Sequence, residues 1–169
     1  MLGGMKKLIL ASLLACTAYA TAASAAPANK PEEIKAIGQV AEEFQSALKT
    51  KNHKQLATLL LNSNILFVSP AEEQFLRMIH EKADPTTDGI RAGGFHDFVN
   101  YLRQEKRPVE ERFTNIRITQ DRELAWMQFD YEFVVDGKVQ NDGVEAWQLV
   151  KRDGQWKIYS VTWSYNPRN

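Results

Sequence analysis

A glutamate set between small apolar residues, two tyrosines on apolar faces and three histidines are the groups in this chain with the chemistry to move a proton. Glu145 stands between Val144 and Ala146 at the start of a predicted strand. Turned inward, it would have its pKa raised by burial and would serve as a general base; left at the strand edge, it is a charge in water. Tyr131 lies on the apolar face of a strand pattern, where its hydroxyl needs a partner, either a ligand to orient or a backbone group of the core. Tyr101 poses the same choice on a helix. His96 follows Gly93-Gly94 at a predicted helix start, which makes it either an acid–base group at a pocket mouth or a surface or capping residue. His53, His80 and His96 are the only histidines, and no two have a metal-ligand spacing, so neither a metal nor a cofactor is expected.

Those groups depend on a C-terminal run of alternating residues broken by Asp136-Gly137 and Asp153-Gly154. Asp-Gly between alternating runs predicts hairpins, because both central residues of a type I′ turn need positive φ. Val109–Thr119 reads as the first long strand, with Phe113, Ile116 and Ile118 as its apolar members. In Leu124–Val135, Ala125, Met127, Phe129, Tyr131, Phe133 and Val135 share one face, and Trp126, Gln128, Asp130 and Glu132 the other. A kink is expected at Asn141-Asp142-Gly143. In the last strand Trp156 and Ile158 differ in parity from Val161 and Trp163, which a bulge near Tyr159-Ser160 would reconcile. The chain thus ends in an antiparallel meander.

Helical patterns precede it. Ile34, Ile37, Val40, Ala41, Phe44, Ala47 and Leu48 form one stripe to about Thr50, with Pro31, Glu32 and Glu33 suited to a first turn. Leu56, Leu59 and Leu60 mark a short second helix, and Ile65–Val68 a brief strand ended by Ser69-Pro70. Phe95, Phe98, Val99 and Leu102 mark a later helix closed by Pro108. Between these, 71–89 is an insertion of helical composition and then turn residues, either a lid over a pocket mouth or an ordinary surface excursion. The architecture this predicts is α+β.

The 169 residues carry 21 basic and 21 acidic side chains, so no basic excess for nucleic acid exists. Residues 1–25 read as a signal peptide: Lys6 and Lys7, the apolar Leu8–Ala15, and Ala23-Ser24-Ala25 as a cleavage site. The mature protein is then periplasmic or secreted. A competing pattern at Leu13-Leu14-Ala15-Cys16 would make it a lipoprotein anchored at Cys16. A disordered lead over 26–32 and one domain over 33–169 follow, with no membrane span.

The Gly94-Phe95-His96-Asp97-Phe98 helix start, Ala125 with the aromatic face after it, and the tail Trp147–Ile158 followed by Val161-Thr162-Trp163-Ser164 resemble the nuclear-transport-factor-2-like superfamily, particularly its SnoaL-like and DUF4440-type branches. The resemblance covers roughly Ile34–Tyr165. It implies a cone-shaped, curved antiparallel sheet wrapped around N-terminal helices, a cystatin-like α+β roll. It also implies a pocket between sheet and helices, lined here by Phe44, Phe67, Phe98, Tyr101, Met127, Phe129, Trp147 and Trp163. Whether the two tryptophans line that pocket or fill the core stays open. In the ketosteroid isomerase branch a tyrosine and an aspartate do the chemistry; Phe44 and Ser69 occupy those positions here, which disfavours it. Members commonly dimerise through the outer sheet face, so a homodimer through Trp126, Gln128 and Asp130 is expected. The function expected first is binding of a small apolar ligand. The alternatives are a cofactor-free lyase, isomerase or cyclase using His96, Tyr131 or Glu145, and a non-catalytic dimeric interaction module.

Overall fold

The computed structural model describes residues 29–168. The expected signal segment 1–25, with Cys16, and the first residues of the expected lead lie outside them. Helix α1 spans Pro31–Lys49. Residues 31 and 32, assigned to the expected lead, belong to this helix, because Pro31 is pre-set for a first helical turn and Glu32 and Glu33 suit its dipole. Asn29 and Lys30 are already tied to Gln120 by hydrogen bonds of 2.7 and 3.3 Å. The expected stripe of α1 is the buried one, from Ile37 to Leu48. Glu33 does more than suit the dipole: its carboxylate accepts from Lys151 Nζ at 2.6 Å and Trp156 Nε1 at 2.8 Å, fastening the helix to the end of the sheet.

Helix α2 (His53–Leu59) leads into strand β1 (Leu66–Pro70), helix α3 (Glu73–Lys82), strand β2 (Ile90–Gly93) and helix α4 (Phe95–Gln104). The meander is β3 (Val109–Asp121), β4 (Leu124–Val135), β5 (Lys138–Arg152) and β6 (Gln155–Trp163), and a two-residue β7 (Asn166–Pro167) pairs back onto β5. The open, curved sheet runs in the order β2-β1-β6-β5-β4-β3. It is mixed rather than wholly antiparallel, since β1 runs parallel to β6. No local signal announces that pairing, because the whole meander lies between the two strands. Strand β2 is likewise unforeseen; it is a short, exposed edge strand beside β1.

Both Asp-Gly pairs form left-handed hairpin turns, with φ of 52° and 75° at Asp136-Gly137 and 50° and 77° at Asp153-Gly154. Three irregularities bend the sheet. At Asn115, left-handed at φ 53°, the β3–β4 register slips between Thr114 and Arg117. That slip turns Ile116 outward, contrary to expectation, and Ile118 inward. Near the expected kink, the β4–β5 register shifts between Phe133 and Val134, beside Gln140 rather than at Asn141–Gly143. Tyr159 is the extra residue opposite Gln148-Leu149, which resolves the parity conflict and buries Trp156, Ile158 and Val161 together.

The concave face of the sheet and α1 enclose the core. Trp147 is fully buried at its centre, its ring 5.0 Å from Phe44, 5.6 Å edge-on from Phe113 and 5.0 Å edge-on from Phe129. Met127, Leu149 and Ile158 are equally closed off. The insertion 71–89 folds as α3 and a loop that returns so that Ala71 N–H donates to Gly89 O at 2.7 Å; no residue of α3 is buried.

Candidate functional site

Alternation along a strand carries the inner face of the sheet past the end of the packed core, and there the walls no longer meet. A cavity of about 540 Å³ opens between β3–β6, α1 and α4, and half of its lining residues are aromatic. Phe44, Phe67, Phe98, Tyr101, Tyr131 and Trp163 line it, as does Glu145. Phe98 stacks at 6.2 Å from Phe44 and 6.1 Å from Phe67, forming one continuous wall. Met127, Phe129 and Trp147 do not line it. They sit behind it in the closed core, each at most 1% exposed, because α1 lies over that end of the sheet. Of the two tryptophans left open by the sequence, Trp163 therefore lines the cavity and Trp147 fills the core.

Glu145 points inward, in step with Trp147 and Leu149 on β5, and is 5% exposed. Its Oε1 accepts a short 2.5 Å hydrogen bond from the Trp147 indole. Burial pushes its pKa up to about 7 against the opposing pull of that hydrogen bond. A second carboxyl, Glu111 on β3, also lines the cavity. Its Oε2 is sealed from solvent and has no hydrogen-bond partner. Burial, and then the charge of Glu145, holds its pKa well above the ordinary carboxylate range. Glu111 escaped the sequence reading because it sits between Glu110 and Arg112 on a strand full of charge. The signal was there in its parity: it is in step with Val109, 1% exposed, and Phe113.

Tyr131 lies on the strand between the two carboxyls. Its hydroxyl is 2.9 Å from Asn141 Oδ1 and 2.8 Å from the Ser164 carbonyl, two acceptors that keep its proton on the phenol. Burial, then Glu145 and Glu111, raises its pKa, so it stays neutral and donates. The Ser164 backbone can approach because residue 143 is glycine: a Cβ there would meet the Ser164 carbonyl oxygen at 2.5 Å. At the rim, the Arg91 guanidinium lies 5.0 Å over the Tyr165 ring, and Asp97 Oδ2 accepts the Gly94 N–H at 3.1 Å in a helix cap. Tyr101 is half-exposed, and burial raises its pKa.

His96 is exposed, and it is not among the residues that line the cavity; a helix start fixes neither outcome, and here the ring turns away. Ser69 is fully buried, its hydroxyl donating to the neighbouring Pro70 carbonyl at 3.5 Å, and it stays outside the lining. None of residues 71–89 lines the cavity either. A neighbouring cleft of about 360 Å³, bounded by Ala71, Glu72 and Phe75, shares Arg91 and Tyr165 with it. Trp126 stands exposed on the outer face of the sheet, in step with Gln128 and Asp130.

No protein-family model matches the sequence, and no curated protein matches it. Solved structures do match. The β subunit of a provisionally named aromatic-ring-hydroxylating dioxygenase from Novosphingobium aromaticivorans superposes with a TM-score of 0.61 at 16% identity, over 83% of this chain and 94% of that one. A provisionally named scytalone dehydratase from the same organism gives 0.57 at 16% identity, over 80% and 85%. An NTF2-like protein from Cytophaga hutchinsonii gives 0.58 at 12% identity, over 81% and 99%. The chain has the NTF2-like, cystatin-like α+β fold, and identities this low speak for the fold alone.

Proposed function

We propose that this is an exported protein that takes up a small, largely apolar molecule in its aromatic-lined cavity. One observation carries the proposal: about 540 Å³ of space persists directly beside a core packed to near-zero exposure at Trp147, Phe129 and Met127. An empty apolar hollow costs stability, so a chain that packs one end of its interior tightly and leaves the other open has a use for the opening. Polar groups converge on it in small number, the arrangement of a site that orients a mostly apolar guest. Protein purified from its own host and examined by native mass spectrometry should carry a bound small molecule that denaturation releases. Bare protein, even after exposure to an apolar extract of that host, would overturn the proposal. The same spectrum tests export, through a chain that begins at Ala26. A lipid mass on Cys16 would instead support the lipoprotein.

The carboxyl pair favours a second reading, proton transfer of lyase or isomerase type without a cofactor. Glu145, poised near neutrality, takes a proton from the guest. Tyr131, or Glu111 in its neutral form, donates to an oxygen on which charge develops. Its mark is solvent deuterium entering the released ligand, and Glu145→Gln should abolish that exchange.

Two copies are proposed to pair through the outer sheet face at Trp126, Gln128 and Asp130, where Val144 is also exposed. Trp126→Glu should convert a dimer mass to a monomer mass.

A further inference from the structure

Glu111 and Glu145 stand on β3 and β5, on opposite flanks of the central strand that carries Tyr131. Glu111 is in register with Phe133 and Glu145 with Phe129, so Tyr131 is the midpoint between them. No hydrogen bond joins the two carboxyls, yet the charge of one weighs on the other. Neither forms an ion pair among the described residues. Trp147 satisfies one oxygen of Glu145, and Glu111 Oε2 is sealed with nothing to accept from. A buried acceptor left in this state is costly unless a donor arrives with a ligand.

The rest of the wall agrees on what that donor is. Phe44, Phe98 and Trp163 line the same space, and aromatic rings accommodate a cation more readily than an anion. The one basic side chain in the lining, Arg91, is at the rim over Tyr165, and Asp97 lies beside it. An anionic head would face two acids, and a neutral apolar guest would leave Glu111 unpartnered. We propose that the ligand is a hydrophobic organic cation, an amine whose ammonium group sits between Glu111 and Glu145 while its apolar body lies against the aromatic wall. This rests on the reading that the cavity binds a small molecule, and it names that molecule's class.

Three probes of one size separate the possibilities: phenylbutylamine, phenylbutanol and phenylbutyrate, titrated calorimetrically into the full chain at about pH 8. The amine should bind roughly tenfold or more tightly than the alcohol, and the carboxylate most weakly. Amine binding should also release protons to the buffer, as the ammonium replaces the proton held by the pair, whereas the alcohol should release none. Below about pH 7 the amine should lose affinity as Glu145 and Glu111 retain their protons; the other titratable side chains facing the same space are Tyr101 and Tyr131, whose pKa values burial raises, and Arg91 and Asp97. Glu111→Gln and Glu145→Gln should each cost the amine about tenfold and leave the alcohol unchanged. Equal binding of amine and alcohol, or preference for the carboxylate, would overturn the inference and leave ligand binding standing. Absence of binding by all three probes would also overturn it, and the co-purification result would then judge the cavity reading by itself.

Discussion

The two ends of the interior are built by the same strands and yet behave as opposites. At the hairpin end, Ala125, Met127 and Phe129 of β4 and Trp147 and Leu149 of β5 close against α1 with almost no exposure. Two residues further along β4, and two back along β5, the same faces present Tyr131 and Glu145 to an open cavity. Along β4 the boundary falls where the bulge at Asn115 shifts the β3 register opposite Phe129. What differs is what lies opposite: side chains of α1 close one end, while at the other Phe44 of α1 and Phe98 and Tyr101 of α4 border a space they do not fill. The difference extends to charge. At the closed end Glu33 is satisfied by Lys151 and Trp156, and those hydrogen bonds lower its pKa. At the open end burial raises the pKa of Glu145 and of Glu111. At one end hydrogen-bond partners favour the ionised carboxylate; at the other burial favours the protonated acid.

Trp147 joins the two ends, so its removal should break the comparison most severely. Trp147→Ala should cost about 3–5 kcal/mol, through lost ring packing and an unpartnered Glu145, measured by chemical denaturation. A loss below about 1 kcal/mol would mean the closed end is not closed. Gly143→Ala acts at the open end alone, by forcing the Ser164 backbone away from Tyr131. It should cost about 1–3 kcal/mol and leave the near-ultraviolet signature of the packed core intact. The electrostatic contrast has a sign that can be checked. A carboxyl whose folded pKa is raised binds a proton more tightly in the native state, so its contribution to stability falls as pH rises from its unfolded value to about 7 and is flat above. Glu145→Gln and Glu111→Gln should therefore be more stable than the parent near pH 8 and gain nothing near pH 4. Glu33→Gln should do the reverse, since a lowered pKa contributes stability above the unfolded value that is lost on acidification. If all three variants shift in the same direction, the two ends are not electrostatic opposites. The smallest effect belongs to a residue outside both ends: His96→Ala should change stability by less than about 0.5 kcal/mol and leave ligand retention unaltered.

Much of the fold was legible in the sequence, though the contrast between its two ends was not. The period-two face of β4 and the parity break at Tyr159 are consequences of alternation, and alternation is local. The hairpins follow from the positive φ that Asp-Gly tolerates. Glu145 stood out in the sequence between Val144 and Ala146, with its direction left open; on β5 it keeps step with Trp147 and points inward. What was not legible depends on partners distant in sequence. The direction of β1 beside β6 has no local cause, and Ile116 turns outward because of one left-handed asparagine. Glu111 was hidden by its charged neighbours, although it shares parity with Val109 and Phe113. The boundary between closed core and open cavity could not be placed either, since Met127 and Tyr131 look alike in the pattern and only Tyr131 borders the cavity.

The bond from the Trp147 indole to Glu145 has a practical corollary. An indole that donates to a carboxylate emits differently from one that faces a protonated acid. A change of charge at Glu145 therefore reaches the emission of this ring, and with Trp126, Trp156 and Trp163 replaced by phenylalanine the molecule would carry its own optical gauge of that carboxyl.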